Sequence, residues 1–309
     1  MNRVDFGRLI SSLRKEHDDE EERPWSQERL AQEANAAAGV ELFTIGIISS
    51  IERGERHLDQ QTLVALAKAL QLTTGERMEF FLAASGVGNE RIAREESDPE
   101  EVASQLIGRM GQVCAPANVV DAYFDTLAVN SLAVEVFDLE PLVFRADGQW
   151  DASHTTNMLL FSFSDEGARH FAKVVHDWGN LAYESVRLFR AISLRYRSTE
   201  QFRNLLAELK KTRLFRRCWR EAYLEEGDLF ADSRRMCLSS TKWGPLECFP
   251  TYLTAPTTAG DLYLCVYNPA NCETAEVFLR IARQVTRPGA VLVGTWPRKT
   301  PLCQHPAAG

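Results

Sequence analysis

The stretch from Trp25 to Arg56 constrains this chain most. It reads WSQERLAQEA, then a loop, then TIGIISSIERGER. Ser26 is a good N-cap, and Trp25 and Leu30 occupy the two positions of a hydrophobic staple. Leu30 and Ala34 fall one turn apart on the inward face, and Ala31 is small enough to admit a close neighbour. In the second pattern Ile48 and Ile51 are three apart and belong to a core. Thr44, Ile45, Gly46, Ser49 and Ser50 are then left on the outer face and first turn. Gly54 follows the last helical residue, where a left-handed stop is easiest for glycine. Arg53 and Arg56 flank that stop within reach of a phosphate backbone.

Two short helices crossing at nearly a right angle have the layout of a helix-turn-helix, whose second helix enters the DNA major groove. The plainer alternative is a helical hairpin packed inside a larger bundle. The string Ile48-Ser49-x-Ile51-Glu52-Arg53-Gly54, after Gln27-Glu28-x-Leu30-Ala31, resembles the Cro/repressor (XRE) type of helix-turn-helix over roughly Asp5 to Gly86. That resemblance implies an all-α, five-helix domain over residues 1–89. It implies double-stranded DNA as partner and Ser26, Gln27, Thr44, Ile45, Gly46, Ser49, Ser50, Arg53 and Arg56 as the contacting residues. The chain departs from the family in two places. NAAAGVELF stands where the family has a short turn, so either the first helix is longer or the turn bulges. The usual base-contacting positions, Ile45, Gly46 and Ser50, include no bidentate Arg, Asn or Gln. Specificity then rests on a thymine-methyl contact from Ile45, on DNA shape or on the extra loop.

At 309 residues, 45% of them hydrophobic, the chain holds two or three domains with sizeable cores. No apolar run is long enough to span a membrane, and Met1 to Asp5 leads straight into a charged amphipathic helix, so no signal peptide is expected. The seven cysteines include no CxxC pair. Neither a disulfide scaffold nor a zinc site is expected, and a reducing cytoplasm fits best, with a thiol sensor as the alternative. Net charge is −8, and residues 1–89 carry 10 Lys+Arg against 15 Asp+Glu. DNA affinity rests largely on phosphate neutralisation, so a homodimer on two half-sites is expected.

Along the chain, Phe6, Leu9, Ile10 and Leu13 mark a first helix, and Asp59 caps a third pattern on Leu63, Leu66, Ala67 and Leu70. Thr73-x-x-Glu76 is a capping box for a last helix with Met78, Phe81 and Leu82 on its apolar face. Residues 90–104 read as a charged linker. Val119 to Val129 reads as a hairpin and Asn130 as the cap of a short helix. A long helical series follows, with Phe171, Val174, Val175, Trp178, Leu181, Ala182, Phe189 and Ile192 as one stripe. Two more helices, around Phe202 to Leu209 and Phe215 to Tyr223, precede strands at 236–241, 246–254 and 262–268. A helix at 274–285, a strand at 290–296 and a disordered tail at 297–309 complete the reading. A hairpin, helices and antiparallel strands make an α+β layout, an antiparallel sheet covered by helices as in PAS domains.

Pro116-Ala-Asn-Val-Val-Asp, Asn157-Met-Leu-Leu-Phe161, Leu206-Ala-Glu-Leu209 with Phe215-Arg-Arg-Cys-Trp219, Gly244-Pro-Leu-Glu247 and Asp261-Leu-Tyr-Leu-Cys-Val-Tyr267 resemble, in order, the MmyB-like ligand-binding domain, a PAS-like module. The family's usual tryptophan before Asn130 is Val129 here. The resemblance implies a domain, placed at 105–296, that holds a small hydrophobic ligand and dimerises. Long-chain fatty acids are the ligands associated with it, and no other cofactor is implied. Candidate lining residues are Phe161, Phe163, Trp178, Tyr183, Phe189, Phe215, Trp219, Phe249, Tyr252, Tyr263 and Tyr267, with Arg190 as a carboxylate partner. Residues 186–220 hold 11 Lys+Arg against 2 Asp+Glu. They read as a solvated face, as a DNA-facing surface or as the source of that carboxylate partner. The competing role for the second domain is structural dimerisation or protein interaction, without ligand. No P-loop, GxSxG or HExxH is present and the six histidines show no metal spacing, so neither catalysis nor a metal site is expected.

Overall fold

The computed structural model describes residues 1–19, 21, 23–86, 98–139, 157–223, 235–239, 242–284, 289–294 and 296. It divides into two compact units. One is Met1–Gly88 with Arg187–Leu206 and Arg220–Leu229; the other is Asn89–Val186 with Ala207–Trp219 and Phe230–Gly309.

The first unit opens with five helices: α1 (Arg3–Lys15), α2 (Gln27–Ala38), α3 (Ile45–Glu52), α4 (Gln60–Ala69) and α5 (Thr74–Ala84). Their starts are written in the sequence. Asn2, Ser26, Thr44, Asp59 and Thr73 each accept the backbone N–H three residues on, so every helix has one of its orphan donors satisfied. Leu9, Ile10, Leu30, Ile48, Leu66, Leu70 and Phe80 are wholly buried in one core. The extra residues after Ala34 lengthen α2 to Ala38, where left-handed Gly39 stops it. Asn35 then latches the following loop, its Oδ1 accepting from Leu42 and Phe43 N and its Nδ2 donating to Phe43 O.

Gly54 has φ +73°, and a Cβ there would sit 2.6 Å from Arg3 O and 2.7 Å from Val4 Cα. Gly54→Ala is expected to cost about 2 kcal/mol through the left-handed backbone and the contact with α1. Urea denaturation measures this, and a change below about 0.5 kcal/mol refutes the account.

Two expectations are corrected here. The buried face of α5 is Glu76, Phe80 and Ala83, while Met78, Phe81 and Leu82 are exposed. The basic stretch after residue 186 is not simply a solvated face. Arg190 Nε donates to Glu76 Oε1 at 2.9 Å, Arg197 bonds both Glu76 and Glu16 (2.8 Å to the latter), and Arg195 pairs with Glu79 at 2.9 Å. Arg197 and Glu76 side chains are completely buried. Leu194 enters the same core, and Phe189 stacks on Phe202 at 5.7 Å. These contacts make Arg187–Leu206 part of the first unit, a segment the sequence placed with the second domain.

The second unit begins with α6 (Pro99–Met110), capped by Asp98. Residues 99–104, read as linker, are its first turns; residues 90–97 lie outside the described residues. Strands β1 (Ala117–Asp121) and β2 (Thr126–Asn130) form the expected hairpin, and Asn130 caps α7 (Ser131–Val136). The long helical series is three helices, α8 (Met158–Phe163), α9 (Asp165–Val174) and α10 (Trp178–Ile192). It breaks because Val175 leaves helical geometry to bridge Leu238. Helix α10 is continuous; through Val186 it groups with the second unit, and from Arg187 with the first. Next come α11 (Glu200–Leu209), α12 (Arg213–Glu221), β3 (Met236–Leu238), β4 (Leu246–Thr257), β5 (Gly260–Pro269), α13 (Cys272–Gln284) and β6 (Ala290–Leu292).

The strands form one antiparallel sheet in the order β3-β4-β5-β1-β2-β6. Strand alternation divides its residues between two faces. Ala117, Val119, Ala128, Leu262 and Leu264 face Ala103, Leu106 and Met110 of α6 in one core. Asn118, Val129, Met236, Pro250, Tyr252 and Tyr267 share the other face by register. Among the described residues no helix is long and apolar enough to cross a membrane, and no group of three or more His, Cys, Asp or Glu is placed to hold a metal ion. The tail from 297 lies outside the described residues.

Candidate functional site

In the helical unit, α3 is held from behind. Arg14 of α1 bonds both Glu52 carboxylate oxygens at 2.7 and 3.1 Å and also reaches Trp25 O, while Gln27 Nε2 of α2 donates to Glu52 at 2.8 Å. Three helices thus meet at the end of α3. Gly7 lets α1 lie directly on that end, since a Cβ there would be 2.4 Å from Glu52 O. The opposite face of α3 is open. Thr44, Ile45 and Gly46 are exposed and Ser49 and Ser50 half-buried. Ile45, a large apolar residue, is 51% exposed. Ser26 and Thr44 spend their hydroxyl oxygens on helix caps, Ser50 Oγ bonds Gly46 O and Ile47 O, and Gln27 is committed to Glu52. Arg53 is exposed and pairs with neighbouring Glu55; Arg56 is exposed beside it.

In the second unit, the sheet face carrying Asn118, Val129 and Tyr252 floors a partly enclosed cavity of about 130 Å³. Its walls come from Ala133 and Phe137 of and after α7, Met158, Leu159, Phe161 and Ser162 of α8, Phe171 of α9, and Trp178, Leu181 and Ser185 of α10. Asn157 fixes the α8 wall. Its Nδ2 donates to Tyr123 O (2.7 Å) and Asp125 Oδ1 (2.8 Å) in the β1–β2 turn, and its Oδ1 accepts from Leu159 and Leu160 N. The same turn holds Phe124, buried with φ 64°. Trp178 stacks on Phe171 at 5.1 Å and Phe161 meets Phe171 edge-on at 6.0 Å.

Of the lining residues expected from sequence, Phe161, Trp178, Tyr252 and Tyr267 reach the cavity. The others do not line it, for local reasons. Phe163 and Phe215 pack on each other at 5.2 Å in the interior, with Trp219 stacked on Phe215. Phe249 lies at odd register to Tyr252 and faces away. Tyr263 shares the cavity's sheet face but sits further along β5. Tyr183 is turned away from the Trp178–Leu181–Ser185 face of α10. Phe189 and Arg190 belong to the helical unit. Sequence reading missed Phe137, Phe171, Leu181 and Met236 as lining residues. Strand alternation from Tyr252, carried across the β4–β5 register to Tyr267 and across β3–β4 to Met236, would have found Met236.

Two buried sheet cysteines, Cys248 and Cys265, are poorly placed to act as nucleophiles. Burial pushes the Cys248 and Cys265 thiols up to about 12, and burial likewise raises the Tyr267 phenol far above its ordinary range. The thiolate is the reactive form, so neither buried thiol supports the thiol-sensor alternative.

A partly enclosed apolar cavity between a sheet floor and helical walls, with a few polar groups at fixed positions, is the geometry of a small-molecule-binding domain. Residues 101–280, more than half of the chain, match the MmyB-like transcription regulator ligand binding domain, and the chain belongs to that family. Family membership gives it a ligand-binding role in transcription regulation. No curated protein matches the chain.

Proposed function

We propose that the chain is a cytoplasmic transcription regulator that binds double-stranded operator DNA through an XRE-type helix-turn-helix and senses a small hydrophobic molecule in its PAS-like second domain. The observation that carries the reading is the apolar cavity inside the domain matched by the family. The rival of a purely structural module asks for a fully packed interior at that place. A fatty acyl chain suits the cavity lining, but Arg190, read from sequence as the carboxylate partner, is committed to Glu76.

Helix α3 is the proposed reader, presenting Ile45 and Gly46 to base edges, with Arg53 and Arg56 on phosphates. The surface pair of Arg53 with Glu55 is exposed on both sides and exchanges for a phosphate at little cost. A homodimer on two half-sites offsets the acidic balance of residues 1–89. A ligand signals only by binding the DNA-competent and DNA-incompetent states unequally. Helix α10 is the proposed transmitter, since Trp178, Leu181 and Ser185 line the cavity and Arg190, on the same helix, bonds Glu76.

Native mass spectrometry with identification of released small molecules tests the sensor half. A dimer that exchanges added apolar ligands supports it, and a protein that binds none sinks it. For the DNA half, Arg53→Ala with Arg56→Ala is expected to weaken binding about tenfold on every sequence. It should also reduce the salt slope by about 2. Unchanged affinity and slope in a fluorescence titration remove those two residues from the interface.

A further inference from the structure

We infer that an exposed arginine stripe on α12 binds the phosphate backbone of duplex DNA, a contact outside the proposed reader helix. The inference rests on the DNA-binding half of the reading above and adds a second surface to it.

The sequence concentrates charge here. Residues 210–220 hold six Lys+Arg and no Asp or Glu, in a chain whose net charge is −8. The helix then sorts its residues by face. Phe215, Cys218 and Trp219 are buried, with Phe215 against Phe163 and Trp219 stacked on Phe215. Arg213, Arg217 and Arg220 are exposed and fall at i, i+4 and i+7 of one continuous helix, hence on one face. Two basic neighbours are already engaged: Arg216 Nη1 donates to Lys210 O at 2.7 Å, and Lys211 pairs with Glu208 at 2.7 Å. Arg213, Arg217 and Arg220 make no ion pair or hydrogen bond among the described residues. Like charges one turn apart repel, and Arg213 in the first turn opposes the helix dipole, with no acid there to offset it. An anionic partner relieves both costs.

Duplex DNA is the partner that fits. Arginine's planar fork matches phosphate oxygens. The stripe covers about 10 Å of helix, the axial rise of about three phosphates on one DNA strand. Residues 1–89 carry 10 Lys+Arg against 15 Asp+Glu, so phosphate neutralisation calls for a basic surface elsewhere in the chain. A membrane surface fits less well, because no apolar residue of α12 is exposed to enter lipid.

The test titrates the full chain with a fluorescent duplex of mixed sequence over a range of salt. Arg213→Gln with Arg217→Gln and Arg220→Gln is expected to weaken binding at least about tenfold at low salt and to reduce the salt slope by about 2–3. The same variant unfolds at no lower temperature, since it removes repulsion and no contact. Arg213→Lys with Arg217→Lys and Arg220→Lys keeps most of the slope. Arg109→Gln with Arg169→Gln and Lys173→Gln makes the same charge change at exposed positions on α6 and α9; it should move the slope by less than about 1. A glutamine stripe variant that binds like the unsubstituted chain, or no more weakly than the α6–α9 control, overturns the inference. If Arg53→Ala with Arg56→Ala still weakens binding in that case, the DNA-binding reading stands. Duplex binding absent at every salt overturns both. Binding to phosphatidylserine vesicles but not to duplex, lost in the stripe variant, assigns the surface to a membrane and overturns the inference as well.

Discussion

Glu76→Ala is expected to destabilise the helical unit by about 3–5 kcal/mol, the range for removing one partner of a buried ion pair. The Glu76 carboxylate is fully buried and accepts from Arg190 Nε, from Arg197 and, through Oε2, from Thr73 N at 2.7 Å. Glu16 lies on the other arm of Arg197. Alanine takes the shared buried carboxylate away from both guanidinium groups and opens the capping box of α5 as well. Hydrogen exchange of α1 and α5 amides in urea reads the loss within this unit. Glu79→Ala is the control, because Glu79 is 36% exposed and its pair with Arg195 is partly solvated; it should cost under about 1 kcal/mol. A Glu76→Ala loss no larger than that of Glu79→Ala would show the network contributes nothing beyond an ordinary surface pair.

Acid is expected to weaken the same unit well before general acid unfolding. His17 stacks on Trp25 at 4.5 Å, and its Nε2 lies 3.0 Å from Leu70 O. Burial, helped by the charge of Arg190, lowers its pKa from 6.5 to about 4. The unfolded chain therefore takes up a proton below pH 6.5 that the folded chain refuses until about pH 4. Stability falls across that window by roughly 3 kcal/mol. Glu76 adds to the loss at lower pH. Burial alone would raise its carboxyl, but Arg190 and Arg197 prevail and hold it at about 2. Its contribution is present above about pH 4.5 and disappears as the pH drops toward 2. His17→Gln should flatten the upper part of the stability curve, between pH 6.5 and 4, and leave the lower part. An unchanged curve would mean His17 is not the titrating group.

Much of the helical unit was legible because its signals are local. Ser26, Asp59 and Thr73 are caps that the next three residues complete, and Gly54 marks a stop that its left-handed φ requires; Thr44, read only as an outer-face residue, is a cap as well. The strands β1 to β5 and the Asn130 cap were legible for the same reason. The α5 face was misread because its deciding partners, Arg190 and Arg197, lie more than a hundred residues downstream. Glu76 looked like a capping residue and nothing more. The cavity was half legible. Aromatic residue type found Phe161, Trp178, Tyr252 and Tyr267. It also collected Phe163, Phe215 and Phe249, because large aromatics fill ordinary cores as readily as pockets. What separates the two groups is register and helix phase relative to the Tyr252 face, information carried by the pairing of strands distant in sequence.

The Glu76–Arg190–Arg197–Glu16 network also bears on dissection of the chain. A fragment ending near residue 88 keeps all five leading helices and every cap, yet it discards Arg190, Arg197 and Leu194. Its Glu76 would then be left in an interior built around counter-ions it no longer has. The helical unit is consequently not a transplantable cassette. Joining it to another domain, or expressing it alone, requires Arg187–Leu206 to travel with it, and exchange at the apparent boundary would yield a poorly folded helical unit.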